Sequence, residues 1–214
     1  MKCFEVDPKI NPLALAAFIL SLVGIACQIR AFIQGADLCL FPPEQVMLIT
    51  ASSATSTDYL HVAARMAYIN RGAEGYHEIV RREGVSFSLG GQPYHQYWQD
   101  FVDTSSLKGK PELVYKCSAM PIRVDPTHPA GHITFFAPWP VMEGPTVSTR
   151  NYLSVQEFML ALAQEKQITF EFWAETLSGE RHSVRCQVDA SALRAEWAVG
   201  EGFAAPVCRE LSTG

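Results

Sequence analysis

Six histidines make metal chemistry the first candidate. In HPAGH, His128 and His132 stand four residues apart, the spacing at which two imidazoles share a helix face around zinc. Pro126, Pro129 and Gly131 oppose a helix there. Asp125 is the only carboxylate close by, and a zinc site needs at least one further protein ligand that the neighbourhood does not supply. The pair is therefore a loop candidate for metal, set against the plainer reading of a turn leading into ITFFAP.

The six cysteines contain no C-x-x-C pair, which removes the usual zinc-knuckle and thioredoxin-like patterns. Cys186 lies in SVRCQVD, where Val184, Cys186 and Val188 alternate with polar residues and share an apolar face. Cys208 belongs to a C-terminal stretch with little periodicity of its own. A Cys186–Cys208 bridge would fasten that tail to a sheet; the alternative is two ordinary buried thiols.

Aromatic residues are densest in PYHQYWQDF. On a strand Tyr94 and Trp98 share one face, and Tyr97 and Phe101 the other, so Tyr94 and Trp98 are candidates for a contact surface or for the core. Trp139, between two prolines, is a further contact candidate. Glu171 and Glu175 flank Trp173 and form either a carboxylate pair or a solvated strand face. No G-x-S-x-G elbow occurs, and LGG at 89–91 lacks the spacing of a phosphate-binding loop. No catalytic residues and no cofactor are indicated. The formal charge of −5, without a basic stripe, excludes nucleic acid as a natural partner.

The elements that must carry these residues begin with NPLALAAFILSLVGIACQIRAFIQG. From Leu13 to Cys27 no residue is charged, and the run from Pro12 to Ile33 has about the twenty residues of a spanning helix. Asn11 and Pro12 suit a helix start, and Gly35 its end. Lys2 and Lys9 before the run, against Arg30 at its far end, place the N-terminus in the cytoplasm. Competing readings are a cleaved signal peptide, a lipoprotein signal ending at Cys27, and a helix buried in a soluble core.

Strand patterns dominate after the helix. YLHVAARMAYI alternates, with Leu60, Val62, Ala64, Met66 and Tyr68 on one face. GVSFSLGGQPYHQYWQDF reads as a hairpin turning at Gly90-Gly91, and QITFEFWAET with RHSVRCQVD as another turning at LSGE. SVQE at 154–157 is a capping box that opens a helix carrying Phe158 and Leu162. A short helix is possible after Asp189, through Trp197. APWPVMEGPTVSTRNY reads as a long connection. Roughly seven or eight strands at this spacing suggest a β-sandwich.

The apolar helix followed by ARMAYINRGAEGY, VSFSLGG and ITFFAP resembles bacterial membrane-anchored proteins with an extracytoplasmic immunoglobulin-like sandwich. In YINRG, an Asn and a Gly close the strand, as in that group. The resemblance implies a mainly β protein with a single transmembrane helix and an immunoglobulin-like sandwich, to which the one short helix opening at Ser154 is an addition. It divides into a cytoplasmic stub (1–11), an anchor (12–34) and a periplasmic or extracellular domain (35–214). It brings no catalytic residues. The expected role is a binding or structural module without catalysis, with the lipid bilayer and an unidentified protein as partners. Contacts are expected through loops such as residues 52–58, 72–76 and 104–111. The alternative is an enzyme-like metal- or ligand-binding domain built on His128 and His132.

Overall fold

The computed structural model describes residues 12–52, 58–103, 114–116, 121–138, 141–143, 146–148, 152–199 and 202–211. Helix α1 (Pro12–Gln34) is followed by strands β1 (Leu38–Phe41), β2 (Val46–Ser52), β3 (Asp58–Asn70), β4 (Glu78–Leu89), β5 (Gln92–Asp103), β6 (Val114–Lys116), β7 (Ile122–Val124) and β8 (Ala130–Ala137). Then come the short β9 (Val141–Glu143) and β10 (Thr146–Ser148), helix α2 (Val155–Leu162), β11 (Gln167–Thr176), β12 (Arg181–Asp189), helix α3 (Ala190–Val199), β13 (Phe203–Ala204) and β14 (Arg209–Glu210).

The protein is mainly β, and among the described residues twelve strands form one curled antiparallel sheet, with the main order β13-β2-β3-β8-β5-β4-β11-β12-β14. β1 also pairs with β3, β6 with β5, and β7 with β4, while β9 and β10 pair only with each other. The alternating faces read from sequence become the interior of the curl. Leu60, Val62, Ala64, Met66 and Tyr68 are each 0% exposed. Val85, Phe87 and Leu89 from β4, and Ile168, Phe170, Phe172 and Ala174 from β11, join them in one continuous core. The β4–β5 hairpin turns at Gly90 and Gly91, whose φ values of 58° and 76° suit a tight turn that other residues resist.

The two ends of the strand order belong to one short piece of chain. Phe203 and Ala204 pair with Ile49 and Leu48 of β2, and Arg209 and Glu210 pair with Gln187 and Cys186 of β12. Between them Pro206 accepts from the Val46 amide at 3.2 Å, and the Cys208 amide donates to Glu44 at 2.8 Å. So few intervening residues cannot span a wide gap, so the sheet curls until its outer strands nearly meet and this strap closes the seam. The Cys186–Cys208 disulfide, with Cα atoms 5.5 Å apart, fixes the strap to β12.

Three expectations need correction. The immunoglobulin-like sandwich of seven or eight strands gives way to one hydrogen-bonded sheet, because β8 pairs with both β3 and β5 and so joins what would be separate layers. Register breaks at Trp98/Asp100 and Glu175/Thr176 help bend it. The connection expected at 137–152 carries the β9–β10 pair. The expected anchor does form a helix, Pro12–Gln34, but its described side chains cover residues 16–30 only. Among the described residues no helix is long and apolar enough to cross a membrane.

Both later helices sit at the end of the curl marked by the β4–β5 turn. Ser154 caps α2, accepting from the Glu157 amide at 3.3 Å, while Glu157 returns to the Ser154 amide at 3.1 Å. Asp189 Oδ1 accepts the Ser191 and Ala192 amides at 2.8 and 2.9 Å, starting α3. Phe158 and Trp197 pack ring on ring at 5.3 Å and close that end. At the opposite end the β1 entry is fastened to the turn after β3. The Asn70 side chain accepts from Asp37 (3.0 Å) and Gly72 (2.9 Å) and donates to the carbonyls of Tyr76 (2.9 Å) and Val124 (3.3 Å). A side chain at position 72 would lie 2.2 Å from the Gly35 carbonyl, so only glycine fits.

Removing the disulfide tests the strap. Its sequence separation is 22 residues, a loop whose closure restricts the unfolded chain by about 3 kcal/mol. Replacing both Cys186 and Cys208 with Ala should lower unfolding stability by about that amount in a urea titration. The loss should match that of the reduced wild-type chain.

Candidate functional site

A polar cluster is built across the curl in the interior. Glu83 lies two residues before Val85 on the inward face of β4 and its side chain is 0% exposed. Across the interior, β3 and β8 present Tyr68, His132 and Thr134 to it. Tyr68 donates to Glu83 Oε1, and His132 Nε2 lies 2.8 Å from the same oxygen. Thr134 Oγ1 donates to Oε2 at 2.6 Å. Tyr68 and His132 also stack, with ring centroids 5.9 Å apart. A buried carboxylate is tolerable only when its oxygens are satisfied in this way. Burial, then the Glu83 charge and its hydrogen bond, push the Tyr68 hydroxyl well above the ordinary tyrosine value, so it remains a donor through the neutral range. His132, 18% exposed at its side chain, is the member nearest solvent.

The cluster meets both Glu83 oxygens with protein donors, which holds the carboxylate in place. It ties β4 to β3 and β8, strands that it does not pair with. Gln96 makes a similar tie: its amide donates to the Leu60 carbonyl at 2.7 Å and accepts from the Val62 amide at 2.9 Å.

The structure separates the two histidines proposed for metal. His132 points inward to Glu83, whereas His128 lies exposed in a turn, its Nδ1 2.8 Å from Thr127 Oγ1. Asp125 is engaged by Arg123 at 2.8 Å. Among the described residues no group of three His, Cys, Asp or Glu side chains could hold a metal ion. Tyr94 and Trp98 are half-buried on the side that carries Gln96, and Tyr94 stacks on Phe87 at 5.4 Å. Trp139 lies outside the described residues, as do most of loops 52–58 and 104–111. Glu171 and Glu175 are held by Arg185, at 3.6 Å, and Arg81, as on a solvated strand face. Trp173 between them is covered by the Arg181 guanidinium at 4.1 Å.

Sequence reading missed Glu83 because the strand signal begins at GVSFSL. Extending its alternation two residues back would have put a carboxylate on a core face. It also missed a groove on the outer face of the sheet, a cavity of about 850 Å3 beside Arg65. Residues from separate strands and from the strap form it, so no local pattern announces it.

Comparison with known protein families, curated proteins and solved structures finds no match to this chain. The likeness to anchored immunoglobulin-like proteins therefore rests on the sequence pieces alone.

Two substitutions probe the cluster. Glu83→Ala leaves the Tyr68 and Thr134 hydroxyls and His132 without their acceptor and should cost about 3 to 5 kcal/mol in chemical denaturation, with Glu83→Gln losing less. For Tyr68, the raised folded value means that stability is intact below the unfolded value near 10 and falls as pH rises past it. Tyr68→Phe should therefore flatten the alkaline limb of a stability–pH curve while losing about 1 kcal/mol at neutral pH.

Proposed function

We propose that the chain is a membrane-anchored, extracytoplasmic binding or structural module that works without catalysis. The observation that carries this reading is the surface of α1. Phe18, Ile19, Leu20, Leu22, Val23, Ile25 and Ile29 are between 49% and 72% exposed. At 100° per residue these positions spread over about 220° of the helix circumference, wider than the single stripe of a core-facing surface helix. An apolar surface this wide suits lipid or the inside of a large core, and among the described residues no protein core covers it. Leaving such side chains in water costs about 1.5 to 3 kcal/mol each.

The backbone of the whole helix runs beyond its described side chains, and its length supports this reading. The 23 residues of α1 extend about 34 Å at the rise of an α-helix, against about 30 Å of hydrocarbon. Lys2 and Lys9 on the N-terminal side favour a cytoplasmic N-terminus. The Cys186–Cys208 bridge favours an oxidising compartment for the sheet. The satisfied state of the Glu83 cluster supports a structural role for the interior, which leaves the outer surface for partners.

The test is membrane fractionation with topology reporters. The full chain should stay in the pellet after alkaline carbonate washing. A C-terminal alkaline phosphatase fusion should be active and a C-terminal green fluorescent protein fusion dark. Release into the supernatant would overturn the anchor, and the opposite reporter pattern would overturn the orientation.

A further inference from the structure

The groove on the outer face arises from a gap in strand pairing. β2 accompanies β3 as far as Val46↔Ala64, and β1 takes over at Phe41↔Ala67, so on that side of β3 Arg65 and Met66 alone lack a strand partner, while on the other side they pair with Ile133 and His132 of β8. Residues 42–45 cross the gap, and Pro42-Pro43 lack the N–H groups that would let them close it as a strand. The cavity of about 850 Å3 that results is walled by Phe41, Met47, Pro129 and Ile133 and also lined by Arg65, Glu44 and Glu210. That volume is in the range of ligand-binding clefts. Phe41 is 40% exposed, a large apolar group held at the wall.

The charges in the groove are uncommitted. Arg81, Arg123 and Arg185 each hold a carboxylate on the surface of the same sheet. Arg65 is exposed and enters no ion pair among the described residues, with Glu44 and Glu210 alike unpaired despite lining the same cavity. A bare anion would gain little from one guanidinium beside two carboxylates. A ligand with one charge of each sign would satisfy all three.

We propose that this groove docks an extended peptide segment of a partner protein. The segment carries a carboxylate for Arg65, an apolar side chain for the wall of Phe41, Met47 and Ile133, and a basic side chain for Glu44 and Glu210. The apolar wall supplies affinity, and the charges on its two sides supply specificity. Guanidinium and carboxylate match as paired hydrogen-bonding forks, and a concave, partly apolar setting strengthens that match relative to a flat surface. The inference rests on the reading of the chain as a binding module and gives it a place and a ligand class.

The experiment uses the full chain in detergent micelles and fluorescence anisotropy of labelled, end-blocked peptides. The probe is Glu-Val-Leu-Val-Lys, compared with Gln-Val-Leu-Val-Gln. Saturable binding of the charged peptide, at least tenfold tighter than the neutral one, is expected. Arg65→Met should weaken it tenfold or more without moving the thermal midpoint, and the Glu44→Gln, Glu210→Gln double variant should weaken it severalfold. Absence of saturable binding, or binding unchanged in both variants, overturns the proposal. Carbonate extraction of the same material separates the two readings. A chain that stays in the pellet yet binds no peptide loses the groove and keeps the anchor, and one that binds but washes out loses only the anchor.

Discussion

Closure of the curled sheet by the strap of residues 203–211 is the constraint on which the rest of the molecule depends. An open sheet would present two long edges, each a row of unpaired backbone groups able to recruit another chain. Here β13 covers part of β2 and β14 part of β12, so one segment masks both edges. The curl this enforces surrounds Phe136, Phe170, Phe172 and Leu48 from every side, and they are at most 1% exposed. The disulfide at Cys208 sits between the two pairings, where one covalent tie keeps the strap from peeling away from β12.

Inside the closed sheet, polar groups act as ties at places where pairing cannot. Glu83 reaches Tyr68, His132 and Thr134 across the interior, and Gln96 bonds the backbone of β3 from β5. Each such group, left unsatisfied, would oppose folding by more than its bonds contribute when made. The cluster therefore favours one arrangement of strands over near alternatives. That is a structural use of residue types that elsewhere do acid–base work.

The junction between α1 and the sheet follows the same logic. Asn70 fills all of its hydrogen-bonding capacity between the β1 entry and the turn after β3. The Ala73 amide reaches the Gly35 carbonyl at 2.9 Å, and the Arg71 amide reaches Asp37 at 2.8 Å. The sheet thus follows the helix with no loose linker, so a bilayer around α1 would hold the domain close to its surface. The groove at Arg65 lies on the outer side of β3 and not in the packed interior, where a partner has access.

Local features were legible because local physics sets them. The inward faces of β3, β4, β11 and β12 follow from period-two alternation, the start of α2 from SVQE, and the pairing of Cys186 with Cys208 from an apolar strand position and an otherwise unattached tail. Alternation, however, is the same whether a sheet lies flat, stacks on a second sheet or curls on itself, so the sequence suggested a sandwich. Only tertiary structure placed β8 between β3 and β5, brought Glu83 to three donors from distant strands, separated His132 from His128, and opened the groove beside Arg65. Those outcomes depend on which strands pair and in what register, an energy shared among residues far apart in the chain. The sequence by itself determined the longer strands, their buried faces and the apolar helix; the closing of the sheet decided what those faces enclose and what they leave outside.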